Sequence, residues 1–366
     1  MNNVIKKSSI VTSGLYGVKQ KKVTVFLSLI IMLMACGNET ENAASNNQVI
    51  QTQNILEYGQ QCTALIGQIP AFNCNDGTIV PITIDGEEPI IYTHKMECDN
   101  PSMLPYSKDT FGQCTPYSRI LDLSYDDVQI SAFCRREQLR DKDSEFYDEI
   151  DIILHSTSNG DTCWFHTEVM AEKNNEKTGI DGKRVPPPNE VTPPKGHVSA
   201  LDFWWQPKET VTNQCGNCHD ADPFMYSPYL GQVWHEVPTD PLGWYNNHVG
   251  PDFSKWTVSS AIMPEGNTCT GCHRIGNIDS CPHNVKLENG KVVVRSAILS
   301  SAGMQEIEGG NEIASSYPNS HWMPVNNFHS EAFWGTVYKD SVIQLLSCCE
   351  DSEQDQCQLT PITGKP

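Results

Sequence analysis

Apolar positions fall into separate runs along this chain, and each run has its own period. The first, residues 23–35 (VTVFLSLIIMLMA), is continuous over 13 positions and follows the basic residues Lys19, Lys21 and Lys22. That length is too short for a spanning helix and suits the apolar stretch of an export signal. Residues 37–57 are rich in Asn and Gln without apolar periodicity, the pattern of a flexible tether. Residues 78–84 are β-rich but broken by Pro81, which predicts an edge strand. Residues 150–154 and 162–169 bracket Ser158-Asn159-Gly160-Asp161, and Asn-Gly between apolar runs predicts a hairpin. Residues 285–294 predict a smaller hairpin turning at Asn289-Gly290. In residues 331–348 Trp334, Val337, Tyr338, Val342 and Leu345 recur at near-helical spacing. Ser330 is placed to cap that helix, and Glu331 suits its first turn.

Five prolines within residues 185–195 (VPPPNEVTPPK) interrupt the pattern, and such a run cannot sit inside a helix or central strand. The expected organisation is a signal segment 1–35, a tether 36–57, a β-rich unit 58–184, a linker 185–195 and a last unit 196–366. The fold class expected is α+β: a disulfide-rich, β-containing first domain, then a mostly α, loop-rich second one.

Composition sharpens the compartment and removes some functions. The 366 residues are 38% hydrophobic, enough for a sizeable core, which argues against a disordered chain or a membrane channel. A formal net charge of −20 argues against a reader of nucleic-acid phosphates, which needs a basic face. Fifteen cysteines are far more than a reduced cytosolic enzyme needs. The apolar run ends in Leu33-Met34-Ala35-Cys36-Gly37, which resembles the lipobox of bacterial lipoproteins. The resemblance implies that Cys36 is acylated and becomes the first mature residue. It also implies an anchor on the periplasmic side of the cell envelope, with Gly37 favouring the outer membrane. Removing residues 1–35 deletes five lysines and no acid, leaving a mature charge of −25.

Cys62, Cys74, Cys98, Cys114, Cys134 and Cys163 lie in the first domain. In an exported chain an even number at irregular spacing predicts three disulfides, with fifteen connectivities open. Cys281, Cys348, Cys349 and Cys357 predict two more. Neighbours Cys348 and Cys349 are expected to pair elsewhere, because a vicinal bridge is strained. A redox-active vicinal pair is the alternative. His155 and His166 flank the predicted hairpin, either as a metal pair lacking an obvious third ligand or as ordinary strand histidines.

The remaining four cysteines form the sharpest signal. Cys215-Gly216-Asn217-Cys218-His219 and Cys269-Thr270-Gly271-Cys272-His273 are two copies of C-x-x-C-H, 54 residues apart. On a helical turn residues three apart share a face, so both sulfurs reach one ligand while the histidine stays beside it. C-x-x-C also builds zinc and iron–sulfur sites, and plain disulfides are a third reading. The export signal disfavours the zinc and iron–sulfur sites, and two copies of the motif in one exported chain argue against coincidental disulfide cysteines.

At these pentapeptides the chain resembles the c-type cytochromes. The resemblance implies two covalently bound c-type haems, held through Cys215, Cys218, Cys269 and Cys272, with His219 and His273 as proximal iron ligands. In that family the distal ligand is often a methionine before proline. Met263-Pro264 lies 44 residues beyond His219, and Met323-Pro324 lies 50 beyond His273. Met323 and Met263 are therefore the first distal candidates, with His321, His235 and His248 as rivals, set against methionine as ordinary core filling. Seven of the eight tryptophans fall in residues 196–366, as walls for a flat cofactor or as an aromatic core.

Two functions follow from the resemblance. One is an electron carrier between redox partners in the periplasm or at the outer membrane. The other is a dihaem oxidoreductase resembling the bacterial dihaem peroxidases, with one haem open to a small substrate. The acidic surface predicts a redox partner with a basic docking face, a membrane contact through the lipid anchor, and no nucleic acid.

Overall fold

The computed structural model describes residues 53–93, 96–100, 114–169, 179–245, 247–286, 290, 292–301, 322–324 and 330–362. The lipobox Cys36 and the distal candidate His321 lie outside the described residues. All that is described belongs to one compact unit. No helix among the described residues is long and apolar enough to cross a membrane.

The fold is α+β. Its strands are β1 (Thr78–Ile79), β2 (Arg119–Asp122), β3 (Val128–Arg135), β4 (Phe146–Tyr147), β5 (Glu149–Ser156), β6 (Asp161–Glu168), β7 (Ile180–Asp181), β8 (Asn247–His248), β9 (Ser260–Ile262), β10 (His283–Lys286), β11 (Val292–Arg295) and β12 (Leu359–Pro361). The principal sheet has the order β1-β2-β3-β5-β6-β8, antiparallel except for the parallel pair β6 and β8. β5 and β6 form the hairpin expected at Asn159-Gly160, where Gly160 has φ +81°, a value that favours glycine. β1 is a two-residue edge strand that stops before Pro81. β10 and β11 pair as the second hairpin, with Gly290 at φ +82°.

Both faces of the sheet are covered. On one, Ile130, Ala132, Ile150, Ile152, Leu154 and Phe165 pack with Ile55 and Tyr58 of the helix Ile55–Leu65. That helix starts inside the polar stretch read as a tether. Asn54 accepts from the Glu57 backbone, and the Glu57 carboxylate accepts from the Asn54 N–H, a capping box that satisfies two exposed donors. On the other face Ile120, Phe133 and Ile153 meet Phe224, Tyr229, Val233 and Val237. Residues before and after the proline run thus share the same cores. The run itself packs: Val185 is fully buried and pairs with Phe72, and the Trp204 indole donates to the Pro186 carbonyl at 2.9 Å.

A smaller core gathers Ile262, Leu299, Trp322, Trp334, Val342 and Leu345 around the C-terminal helices Glu331–Val337 and Lys339–Glu350. The single helix expected over 331–348 is therefore two, interrupted at Tyr338, whose φ of −115° departs from helical geometry. Ser330 caps the first of them, its side chain accepting from the Phe333 N–H at 3.1 Å. β12 returns to pair with β9, bringing the C-terminal segment against residues 260–262.

Ten cysteines are paired: Cys62 with Cys163, Cys74 with Cys134, Cys98 with Cys114, Cys281 with Cys349, and Cys348 with Cys357. The three expected bridges of the first half are present, and neighbours Cys348 and Cys349 take different partners. Among the described residues the cysteines outside these five disulfides are Cys215, Cys218, Cys269 and Cys272, the four of the two C-x-x-C-H segments.

Candidate functional site

The first C-x-x-C-H segment forms one helical turn, Cys215–Cys218, closed by the His219 N–H donating to the Cys215 carbonyl at 2.9 Å. Gly216 is required by close approach, since a Cβ there would meet the Trp256 ring at 2.8 Å. Cys215 packs against the main core, and burial pushes its thiol up. The His219 Nδ1–H donates to the Pro223 carbonyl at 2.8 Å. A carbonyl only accepts, so Nδ1 carries the proton and Nε2 keeps a free lone pair. Burial pushes this imidazole down to about 4, so it is neutral at pH 7. Tyr245 donates its phenol to the His219 carbonyl at 2.5 Å, and the Trp164 ring lies 5.2 Å from the imidazole.

The second segment is an irregular turn held by the helix Lys339–Glu350. Asn267 donates to the Ser341 carbonyl at 2.8 Å and to Gln344 at 2.9 Å, while its own oxygen accepts from the Cys269 N–H at 3.0 Å. The Thr268 hydroxyl sits 2.7 Å from that of Ser341. His273 is exposed, and its Nδ1–H donates to the Arg274 carbonyl at 2.8 Å. Both histidines therefore present Nε2 in the same tautomer.

Asp220, the residue after His219, joins the two segments. Its carboxylate accepts from the N–H groups of Ile278 and Ser280, at 2.9 and 3.1 Å, and from the Ser280 hydroxyl at 2.9 Å. The Asp279 N–H donates to the Asn217 carbonyl at 3.2 Å, and the Cys218 thiol lies 3.5 Å from the Asp279 carboxylate. The chain leaving the second segment is thus laid over the first. Desolvation raises Asp220 to about 6 against those hydrogen bonds.

Between them opens a cavity of about 670 Å³. Cys218, Cys269, Cys272 and His273 line it, together with Met323, Asp222 and Arg274. The volume is that of a site for one large ligand. Arg274 donates through Nη1 to the Gly243 carbonyl at 2.6 Å. Its buried Nε and Nη2 have no hydrogen-bond partner, and Asp222 lies 3.8 Å from Nη2. Desolvation raises Asp222 to about 7, although Arg274 opposes it.

The distal candidates separate by position. Met323 lines the same cavity as His273, and its carbonyl accepts from the Trp334 indole at 2.8 Å. Met263 packs instead in the main core alongside Cys215 and Trp256. His248 is fixed on β8 by parallel pairing with Thr162, close to the first segment, and its Nδ1 accepts from the Trp164 indole at 3.2 Å. Burial and then His219 push His248 down to about 4. The His235 side chain is 73% exposed and sits 3.3 Å from Glu236.

Sequence reasoning missed Trp164 and Arg274, and nothing in the sequence marked Asp220 out from the other acids near these segments. No local pattern marks Trp164, which reaches His219 and His248 only because β6 runs beneath them. The pairing considered for His155 and His166 does not form. His155 is opposite Thr162 and His166 opposite Asp151, four residues apart along β5, roughly 13 Å at strand rise. His166 instead meets Glu149 and Asp151, with ligand atoms all within 4.8 Å of one another.

No family model, curated protein or solved structure matches this chain.

Proposed function

We propose that this chain is an exported dihaem c-type cytochrome, lipid-anchored through Cys36 on the periplasmic side of the envelope, that passes electrons between redox partners. The observation that carries the reading is the division of cysteines. Ten are consumed in disulfides, and the four described cysteines outside them are those of the C-x-x-C-H segments, three of them on one cavity with Met323.

A covalently held haem supplies a one-electron iron couple. The residues present fit such a group. Pro223 and Arg274 carbonyls hold the Nδ1 protons of His219 and His273, which orients each ring and leaves Nε2 for iron. Met323 offers a thioether in the cavity that His273 lines. Arg274 Nε and Nη2, which make no hydrogen bond although Asp222 lies 3.8 Å from Nη2, suit a carboxylate, and a haem carries two as propionates. The mature charge of −25 favours a partner with a basic docking face.

A second reading, a dihaem oxidoreductase, is favoured by one observation: Asp222 is a buried acid on the cavity wall, raised to about 7 and suited to proton transfer. Haem counting by pyridine haemochrome, with magnetic circular dichroism in both oxidation states, tests the proposal. Two haems per chain, both low-spin, are expected of the carrier. A high-spin ferric haem that takes up carbon monoxide on reduction selects the enzyme, and a mature protein without a haem spectrum overturns both.

A further inference from the structure

We infer that Glu149, Asp151 and His166 form a binding site for one divalent cation of the zinc class, on the principal sheet and separate from the C-x-x-C-H cavity. Asp151 and His166 are directly opposed across β5 and β6, so they share a face, and Glu149 lies two residues away on that face. The Nδ1 of His166 is 2.7 Å from Asp151 Oδ1 and 3.9 Å from Glu149 Oε1.

The two carboxylates are arranged differently. Glu149 gives Oε2 to Arg135, at 2.7 Å, which leaves Oε1 turned toward the cluster. Asp151 has no arginine of its own, and its side chain is 34% exposed, so an ion has a path from solvent. Glu168 stands opposite Glu149 and lies 3.6 Å from His166 Nε2. That Nε2 is buried and without a hydrogen-bond partner, in a residue only 3% exposed. The patch therefore gathers four carboxylates (Glu137, Glu149, Asp151 and Glu168) and the His166 imidazole around Arg135, which pairs with Glu137 at 3.3 Å as well as with Glu149. Like charges this close need a shared proton or a cation between them.

Donor chemistry favours the zinc class. Zinc accepts imidazole nitrogen and carboxylate oxygen together and, with three protein ligands, leaves a fourth position to water, whereas calcium takes oxygen ligands alone. Binding expels the proton held between His166 and Asp151. The opposite side of the imidazole is closed by the Trp205 ring, 4.6 Å away and edge-on. The ion would lock β5 to β6 beside the first C-x-x-C-H turn.

The test uses the mature full chain, treated with a chelator and repurified. It is titrated with ZnCl2 and, in parallel, CaCl2 by calorimetry, with zinc and iron counted per chain by elemental mass spectrometry. One zinc per chain is expected, with affinity falling more than about tenfold in Asp151→Asn and in His166→Gln. Exposed His197→Ala is expected to leave the affinity unchanged. Absence of stoichiometric zinc, equal affinity in a folded Asp151→Asn protein, or a preference for calcium would overturn the site. Iron reports the haem reading and zinc reports this one, so the two stand or fall separately.

Discussion

Asp220 holds Ser280 twice, at the backbone N–H (3.1 Å) and at the hydroxyl (2.9 Å), across 60 residues of chain. One carboxylate beside His219 thereby sets the path of the segment that follows His273. At pH 8 that carboxylate is a buried charge above its raised value of about 6. Asp220→Asn keeps one oxygen for the Ile278 and Ser280 N–H groups, and its amide can donate to the Ser280 hydroxyl. It is expected to cost less than about 1 kcal/mol at pH 8, whereas Asp220→Ala strands those donors and costs about 3 kcal/mol. Urea unfolding of both variants at pH 8 measures the difference.

His155 is buried, with Nδ1 2.9 Å from the Thr162 hydroxyl, and burial lowers it to about 4 from 6.5. The unfolded chain takes up a proton below pH 6.5 that the folded chain refuses. The group's stabilisation is therefore present above 6.5 and is lost as the pH falls toward 4, by about 3 kcal/mol in total. Stability of the native protein minus that of His155→Leu, measured from pH 7.5 to 4, should fall by that amount. A flat difference would show that His155 is charged when folded.

Met323 lines the same cavity as Cys272 and His273, while Met263 packs against the main core. If Met323 supplies the thioether there, Met323→Ala removes the signature of thioether ligation from the ferric spectrum and lowers that centre's potential. Met263→Ala leaves that centre unchanged. Spectra and redox titrations of the two variants, side by side, decide the assignment.

The disulfides close loops of very different length: 101 residues for Cys62–Cys163 and 9 for Cys348–Cys357. Chain entropy makes the long bridge worth about 4.7 kcal/mol and the short one roughly 2.6 kcal/mol. Replacing each pair by alanines and comparing guanidinium unfolding free energies should reproduce that order.

The elements readable in advance are those written by adjacent residues. Asn159-Gly160 specifies the β5–β6 turn because glycine accepts φ +81°, Pro81 ends β1, and Ser330 caps the helix that follows it. The capping box at Asn54 and Glu57 was equally local but was masked by the polarity of its surroundings. The sheet neighbour of β6 was not readable. Thr162 and His248 pair in parallel across 86 positions, and no periodicity links segments so far apart.

The candidate sites divide the same way. By itself the sequence determined that two cysteines and a histidine recur at one fixed spacing in each C-x-x-C-H segment, because that pattern is local. It also determined that the other cysteines beyond residue 57 are even in number. Only the tertiary structure decided which cysteines bond, that Cys218 and His273 open on one cavity, that Arg274 leaves Nε and Nη2 without a hydrogen bond beside Asp222, and that Glu149 and Asp151 gather on His166. Those outcomes depend on strand register and on burial shared by distant segments, where one face of a sheet selects its neighbours by packing rather than by position along the chain.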